Sequence, residues 1–283
     1  MVQSIQMSSA GKRIRWSRFR YPQSRFGLIV PIDHGLTVGP MPGLESVAQV
    51  GRWIAHPGIT GIIAHKGIVE RLAAHDCLRG LGVMVHVNGM STLAPAPDTK
   101  EMLTTVESAL RLGADGVSLQ VNFDGSNDGH NLRLLGGVVD AAAAYGLPVL
   151  SMVYDKVETR ERGRRVERMR HLMRIAVELG TDAIKIAAPD DLRELPELLS
   201  GLCEDAAIFV AGGAKRSDAE LYELTAAAAA AGASGLCVGR NVFQRPSPAA
   251  VLDDLSAILR RAELRLSERL SEPALSVELA VVT

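Results

Sequence analysis

The stretch Asp182–Pro189, DAIKIAAP, carries one lysine in an otherwise apolar run. Strand side chains alternate, so Ile184 and Ile186 fall on one face and Ala183, Lys185 and Ala187 on the other. The two alanines leave room beside the lysine for a ligand. An ammonium among apolar groups is costly. Desolvation is expected to lower its pKa and to yield an amine nucleophile of the kind imine chemistry needs. A lysine snorkelling from a strand end into a salt bridge is the other reading, and this stretch alone leaves both open.

Seven further strand-like runs flank it: Leu28–Ile32, Ile59–Ala64, Val83–Val87, Gly116–Val121, Pro148–Val153, Ala207–Ala211 and Gly235–Val238. Helix-like stretches follow each of the eight: Leu44–Ala55, Ile68–Leu81, Lys100–Leu112, Leu132–Tyr145, Arg162–Leu179, Leu192–Leu202, Ser217–Ala231 and Pro248–Leu264. Gly113, Gly146, Gly180 and Gly232 stand where helices stop before a strand, and Asp98, Ser217 and Ser247 where helices start. Strict alternation predicts a single-domain α/β protein, a (β/α)8 TIM barrel. A doubly wound sheet would usually carry a glycine-rich fingerprint after its first strand, and PIDHG is not one. The expected divisions are a basic leader over 1–26, the barrel over 27–264 and a tail over 265–283.

The chain has 283 residues, 47% hydrophobic and 22% charged, with net charge −1. That balance gives no argument for nucleic acid or a membrane surface, and no apolar run reaches the ~20 residues of a membrane helix. No signal-peptide stretch is read in the first residues, so a cytoplasmic protein is expected. Cys77, Cys203 and Cys237 are scattered and odd in number, so they read as small hydrophobes rather than disulfides or zinc ligands. The leader sets Lys12, Arg13, Arg15, Arg18, Arg20 and Arg25 among Trp16, Phe19 and Tyr21. It reads as an amphipathic helix closing the barrel bottom or, failing that, as a nucleic-acid arm. The tail ends in LSVELAVVT, apolar enough to seek a neighbouring subunit.

Barrel active sites lie at the C-terminal strand ends. There the sequence sets Asp33-His34-Gly35, His65-Lys66-Gly67, His86 with Asn88, then Ser118, Gln120 and Asn122 on one face, Tyr154-Asp155, and Lys185. After strands seven and eight, Gly212-Gly213 and Gly239 bring backbone N–H groups close to an anion, a following helix N-terminus adds partial charge and Arg240 a full one. This is a phosphate site or, on the plain reading, a pair of turns. Lys185 would attack a ketone to form an imine, with Tyr154 on the adjacent strand as the acid–base group and Asp33 or His34 across the mouth. Tyr154 reads alternatively as a rim tyrosine bonded to backbone, and Asp33 as a loop cap. His34, His65 and His86, from three successive strands, form a competing zinc reading. Lys66 is a second anion contact or the partner of a nearby acid.

Together PIDHG-x3-GP (Pro31–Pro40), AHKG (Ala64–Gly67), Tyr154, KIAAP (Lys185–Pro189), AGG (Ala211–Gly213) and GRNVFQ (Gly239–Gln244) resemble the archaeal-type class I aldolases, the DeoC/LacD-like group. The resemblance covers roughly 12–260. It implies that Lys185 forms the Schiff base, that Tyr154 donates a proton, that Asp33 assists, and that the glycine loops with Arg240 hold a sugar phosphate. It implies no cofactor, a phosphorylated ketose and an aldehyde as substrates, and a homo-oligomer, often a decameric ring. Within the group the expected activity is a synthase-type aldol step with aspartate semialdehyde as acceptor. Fructose-bisphosphate cleavage comes next, then an autoinducer-2-type thiolase or a non-catalytic sugar-phosphate-binding barrel. The chain departs from the pattern at Asp155-Lys156 and the charged Glu158–Arg165, and at Asn88-Gly89 within Val87–Lys100, the two segments that frame the acceptor side.

Overall fold

A computed structural model of the chain describes residues 7–157 and 161–271. Eight parallel strands close into a barrel: β1 Gly27–Pro31, β2 Gly61–Ala64, β3 Gly82–His86, β4 Gly116–Phe123, β5 Val149–Asp155, β6 Ala183–Ala187, β7 Ala207–Ala211 and β8 Gly235–Cys237. Neighbours in sequence are neighbours in the ring, and β8 returns to β1 with Gly235 opposite Gly27. The eight outer helices are α1 Val47–Gly51, α2 Lys66–Ala74, α3 Val106–Arg111, α4 Asp128–Ala144, α5 Arg162–Glu178, α6 Leu195–Leu199, α7 Asp218–Ala230 and α8 Pro248–Ser271. This is the expected (β/α)8 barrel, closed, with no doubly wound sheet. No helix among the described residues is long and apolar enough to cross a membrane.

Helix limits moved where local hydrogen bonding overrode periodicity. Asp98 caps nothing. Glu101–Met102 pairs antiparallel with Asn88–Gly89, and α3 starts only at Val106, where the Thr105 hydroxyl accepts from the Ser108 amide. The stretch Leu192–Leu202 splits into a 3-10 turn and α6, which ends at Ser200, where ψ turns to 124°, and Gly201 at φ 76° then leads into the short helix Leu202–Asp205. Ser217 caps α7 in a reciprocal box with Glu220. The four predicted helix-stop glycines all have positive φ. α8 runs on to Ser271, across the expected boundary at 264, and the apolar ending LSVELAVVT lies outside the described residues.

Strand alternation sorts two cores. Ile184 and Ile186 pack outward among the helix-facing residues, while Ile29, Ile63, Met84, Leu150, Met152, Ala183, Phe209 and Cys237 fill the barrel. The barrel core includes Trp16 and Phe19 from the leader. Helix Ala10–Trp16, capped by Ser9, and a turn over Ser17–Phe19 seat both rings in the bottom of the barrel. The first residues of β1, β2 and β3 are glycines, and they make the socket. A Cβ on Gly61 or Gly82 would stand 2.5 or 2.7 Å from the Phe19 ring, and one on Gly27 2.0 Å from the Phe19 carbonyl oxygen.

The leader's cations serve the same closure. Asp115 and Asp182 each follow a helix-stop glycine by two residues, and each accepts from the amide of a neighbouring strand, Val83 or Val149. Arg18 pairs with Asp115, and Lys12 with Asp182 at 2.7 Å, both partners buried. Arg15 and Arg25 donate to the carbonyls of Gly146 and Gly232. The structure therefore supports the closing helix, with these charges committed to the barrel's own underside rather than to a free basic arm.

Two predictions follow from this end of the barrel. Gly82→Ala should cost about 1–3 kcal/mol in urea unfolding, and markedly less in a Phe19→Leu background; equal costs in both would sink the socket. Lys12→Met should cost about 3–5 kcal/mol at neutral pH, because it strands a buried carboxylate. Burial raises the Asp182 pKa against the pull of Lys12 and the Val149 amide. An acid with a raised folded pKa weakens the fold as pH rises through that value. The gap between variant and wild type should therefore narrow as pH falls from 7 towards 4, and a constant gap would rule this origin out.

Candidate active site

Lys185, the third residue of β6, points into the barrel and is 6% exposed. Its register partners are Met152 on β5 and Phe209 on β7, and its Nζ lies 3.7 Å from the Met152 Sδ. It enters no ion pair among the described residues, so the snorkelling reading fails. The expected drop in its pKa fails as well. Burial opposes the ammonium, but Cys237, Tyr154 and Asp33 favour it, and the net direction is up despite Arg240. The resting side chain is an ammonium that needs a base before it can attack. Cys237 is thus more than a small hydrophobe: it is buried beside the amine, and burial pushes its thiol up to about 11.

Tyr154 stands two residues beyond Met152 on β5, one interior step nearer the mouth. It packs on the barrel core and its hydroxyl bonds no backbone group among the described residues, which removes the rim-tyrosine reading. Asp33 follows β1 and precedes the short helix His34–Val38, yet its side chain makes no capping bond there. Burial would raise its pKa, but His86, His34, Lys185 and His65 hold it at about 2. His34 Nδ1 is 3.4 Å and His86 Nε2 3.8 Å from its oxygens. His86 Nδ1 lies 2.8 Å from Ser118 Oγ and its ring stands against His65 at 5.3 Å. Burial lowers all three imidazoles, His86 to about 4. The three histidines do converge, but around Asp33. Among the described residues no group of three or more His, Cys, Asp or Glu is arranged to hold a metal ion.

The glycines after β7 and β8 are needed for close approach. A Cβ on Gly212 would stand 2.6 Å from the Asn241 Nδ2, and one on Gly239 2.8 Å from the His34 ring and the Pro31 carbonyl; Gly213 has φ 69°. Asn241, fully buried, donates to the Gly212 and Ala214 carbonyls and accepts from the Arg216 amide, stapling one loop to the other. That role was not read from the sequence, although its place directly after Gly239-Arg240 marked it. The start of α7 is closed by its own capping box, so an anion placed there would meet the loop amides and Arg240 rather than that helix end. Arg240, half-buried, is close enough for its charge to act on Lys185 and His34. Lys66 stands exposed at the first turn of α2, in no ion pair among the described residues and outside the buried cluster. Asp155 turns away to Arg168, with both oxygens at 2.8 Å.

A DeoC/LacD family aldolase model matches residues 27–245. The 2-amino-3,7-dideoxy-D-threo-hept-6-ulosonate synthase 1 of Archaeoglobus fulgidus is 33% identical over 253 residues, covering 88% of this chain and 91% of that protein. The 2-amino-4,5-dihydroxy-6-oxo-7-(phosphonooxy)heptanoate synthase of Streptomyces griseus is 28% identical over 259 residues, 91% of this chain and 93% of that protein. An archaeal fructose 1,6-bisphosphate aldolase structure superposes with a TM-score of 0.77 at 22% identity, over 88% of this chain and 98% of that one, and shares the fold. A match that spans the barrel from β1 past the loop after β8 shows that the chain belongs to the DeoC/LacD family of aldolases.

Proposed function

We propose that the chain joins a phosphorylated ketose to an amino acid aldehyde through an imine on Lys185. The observation that carries this is a lysine buried inside the barrel, with a tyrosine one interior step nearer the mouth on the adjacent strand and an ionised aspartate acting on it. Lys185 loses a proton, Nζ adds to the ketone carbon, and water leaves as the iminium forms. A proton lost from the adjacent carbon gives an enamine. That carbon attacks the aldehyde, the Tyr154 phenol protonates the new alkoxide, and water releases the product and the amine. Asp33, anionic at rest as the counter-charge to the ammonium, takes the proton that Lys185 gives up and returns it to the oxygen that leaves as water; it then takes the proton lost from the carbon and passes it to the Tyr154 phenolate. The amides of Gly212, Gly213 and Gly239, with Arg240, hold the phosphate.

The product named for the Streptomyces griseus relative supports the choice of partners. Cutting it between the hydroxyl carbon at position 4 and the carbon beside the ketone returns dihydroxyacetone phosphate and aspartate semialdehyde. We take these as donor and acceptor here. The reading extends to a homo-oligomer, for light scattering to test, and to a cytoplasmic setting.

Borohydride with dihydroxyacetone phosphate should leave an adduct on the peptide holding Lys185, and none in Lys185→Ala; a folded wild type that traps nothing would refute the imine. Tyr154→Phe should still trap while turnover falls about 10²- to 10⁴-fold. Asp33→Asn removes a charge that favours the ammonium, so the pH dependence of trapping should shift to lower pH while turnover falls. An unshifted profile would show that Asp33 does not set the state of Lys185.

A further inference from the structure

Between β3 and α3 the chain makes an excursion over the mouth, built from the segment Val87–Lys100. Its base is pinned, because Asn88–Gly89 pairs with Glu101–Met102 and the Asn88 side chain bonds both backbone atoms of Gln120 on β4. Asn122, buried on the inner face of β4 and opposite Tyr154 in register, donates to the Asp98 carbonyl at 2.8 Å and its carboxylate at 3.3 Å. The other side of Asp98 meets Lys156, just past β5, at 2.8 Å. Behind them Lys100 is 4% exposed, and its ammonium donates to the Pro97 carbonyl at 2.7 Å. Its charge is felt by His86 and by the pair itself.

The order around the ring gives this group a place. Phosphate donors stand at β7 and β8, the amine at β6 and the proton donor at β5. A substrate laid along that line reaches β4 and the excursion with its far end. There it meets one exposed anion and one exposed cation, with side chains 49% and 36% accessible.

We propose that Asp98 and Lys156, backed by Lys100, form the acceptor site, with the acceptor's ammonium on Asp98 and its carboxylate on Lys156. This deepens the aldolase reading above and rests on it. A zwitterionic aldehyde enters by partner exchange, since it opens one ion pair and makes two. An acceptor that carries only an anionic end would satisfy Lys156 and leave Asp98 facing negative charge, so the pair selects for an amino acid aldehyde over a phosphorylated one.

The test compares Asp98→Asn and Lys156→Gln with wild type in three assays. These are donor trapping, kcat/KM for aspartate semialdehyde, and kcat/KM for glyceraldehyde 3-phosphate. Each variant should lose roughly 10- to 100-fold with aspartate semialdehyde, as for a lost charge-assisted bond, while trapping stays within about twofold of wild type. With glyceraldehyde 3-phosphate, Asp98→Asn should not fall, so the discrimination ratio collapses. Urea unfolding at matched midpoints separates this from a closing strut, which would lower both acceptors together. Equal loss on both acceptors in Asp98→Asn, or no loss with aspartate semialdehyde in either variant, with trapping intact, would overturn the acceptor site alone. A wild type that traps no donor would overturn the aldolase reading as well.

Discussion

An ammonium sealed inside a closed strand barrel has to be answered by charge, and the arrangement of the mouth follows from that demand. Lys185 is almost wholly withdrawn from water, so its charge is met by Cys237, Tyr154 and, from across the lumen, Asp33. Asp33 is buried in turn and would protonate if left alone. It stays ionised because His86, His34, Lys185 and His65 surround it. Each imidazole is kept neutral by burial, so the cluster is close to charge-balanced around one cation and one anion. Such a cluster tolerates the arrival of a ketone, because the iminium that forms keeps the one positive charge the ammonium carried.

The two ends of the barrel solve different problems with the same residue type. At the bottom, Gly27, Gly61 and Gly82 give up side chains so that Phe19 can fill the floor. At the top, Gly212 and Gly239 give them up so that Asn241, His34 and the backbone can close on one another. The floor keeps solvent from the lower face of Lys185 and preserves the low dielectric that makes its charge partners effective. Stability is concentrated at one end and chemistry at the other, as in other barrels.

Much of this was legible in the chain because strand alternation is strict. The contrast of Ile184 and Ile186 with Lys185 needs no tertiary knowledge, and the eight strands announce themselves as apolar runs. What stayed hidden depends on partners distant in sequence. The direction of the Lys185 pKa is set by Asp33, Tyr154 and Cys237, from three other strands, and burial alone points the opposite way. The leader's cations left a nucleic-acid arm open beside the closing helix, because nothing local shows that Asp115 and Asp182 wait at the strand starts. The helix expected from Lys100 was misplaced for a similar reason, since residues 101 and 102 are claimed by a ladder with Asn88–Gly89.

Donor and acceptor sides of the mouth are also built from different materials, which bears on how such a site diversifies. The proposed phosphate end rests on a loop whose carbonyls Asn241 holds and on glycines that cannot take a side chain. Replacing any of these disturbs the loop itself. The acceptor end rests on Asp98 and Lys156, two side chains on an excursion and a strand end whose backbones are anchored elsewhere, by Asn88, Asn122 and the Phe123 carbonyl. Exchanging those side chains leaves the barrel, the amine and the donor loops untouched. A shared donor chemistry with a changeable acceptor is therefore what this geometry favours.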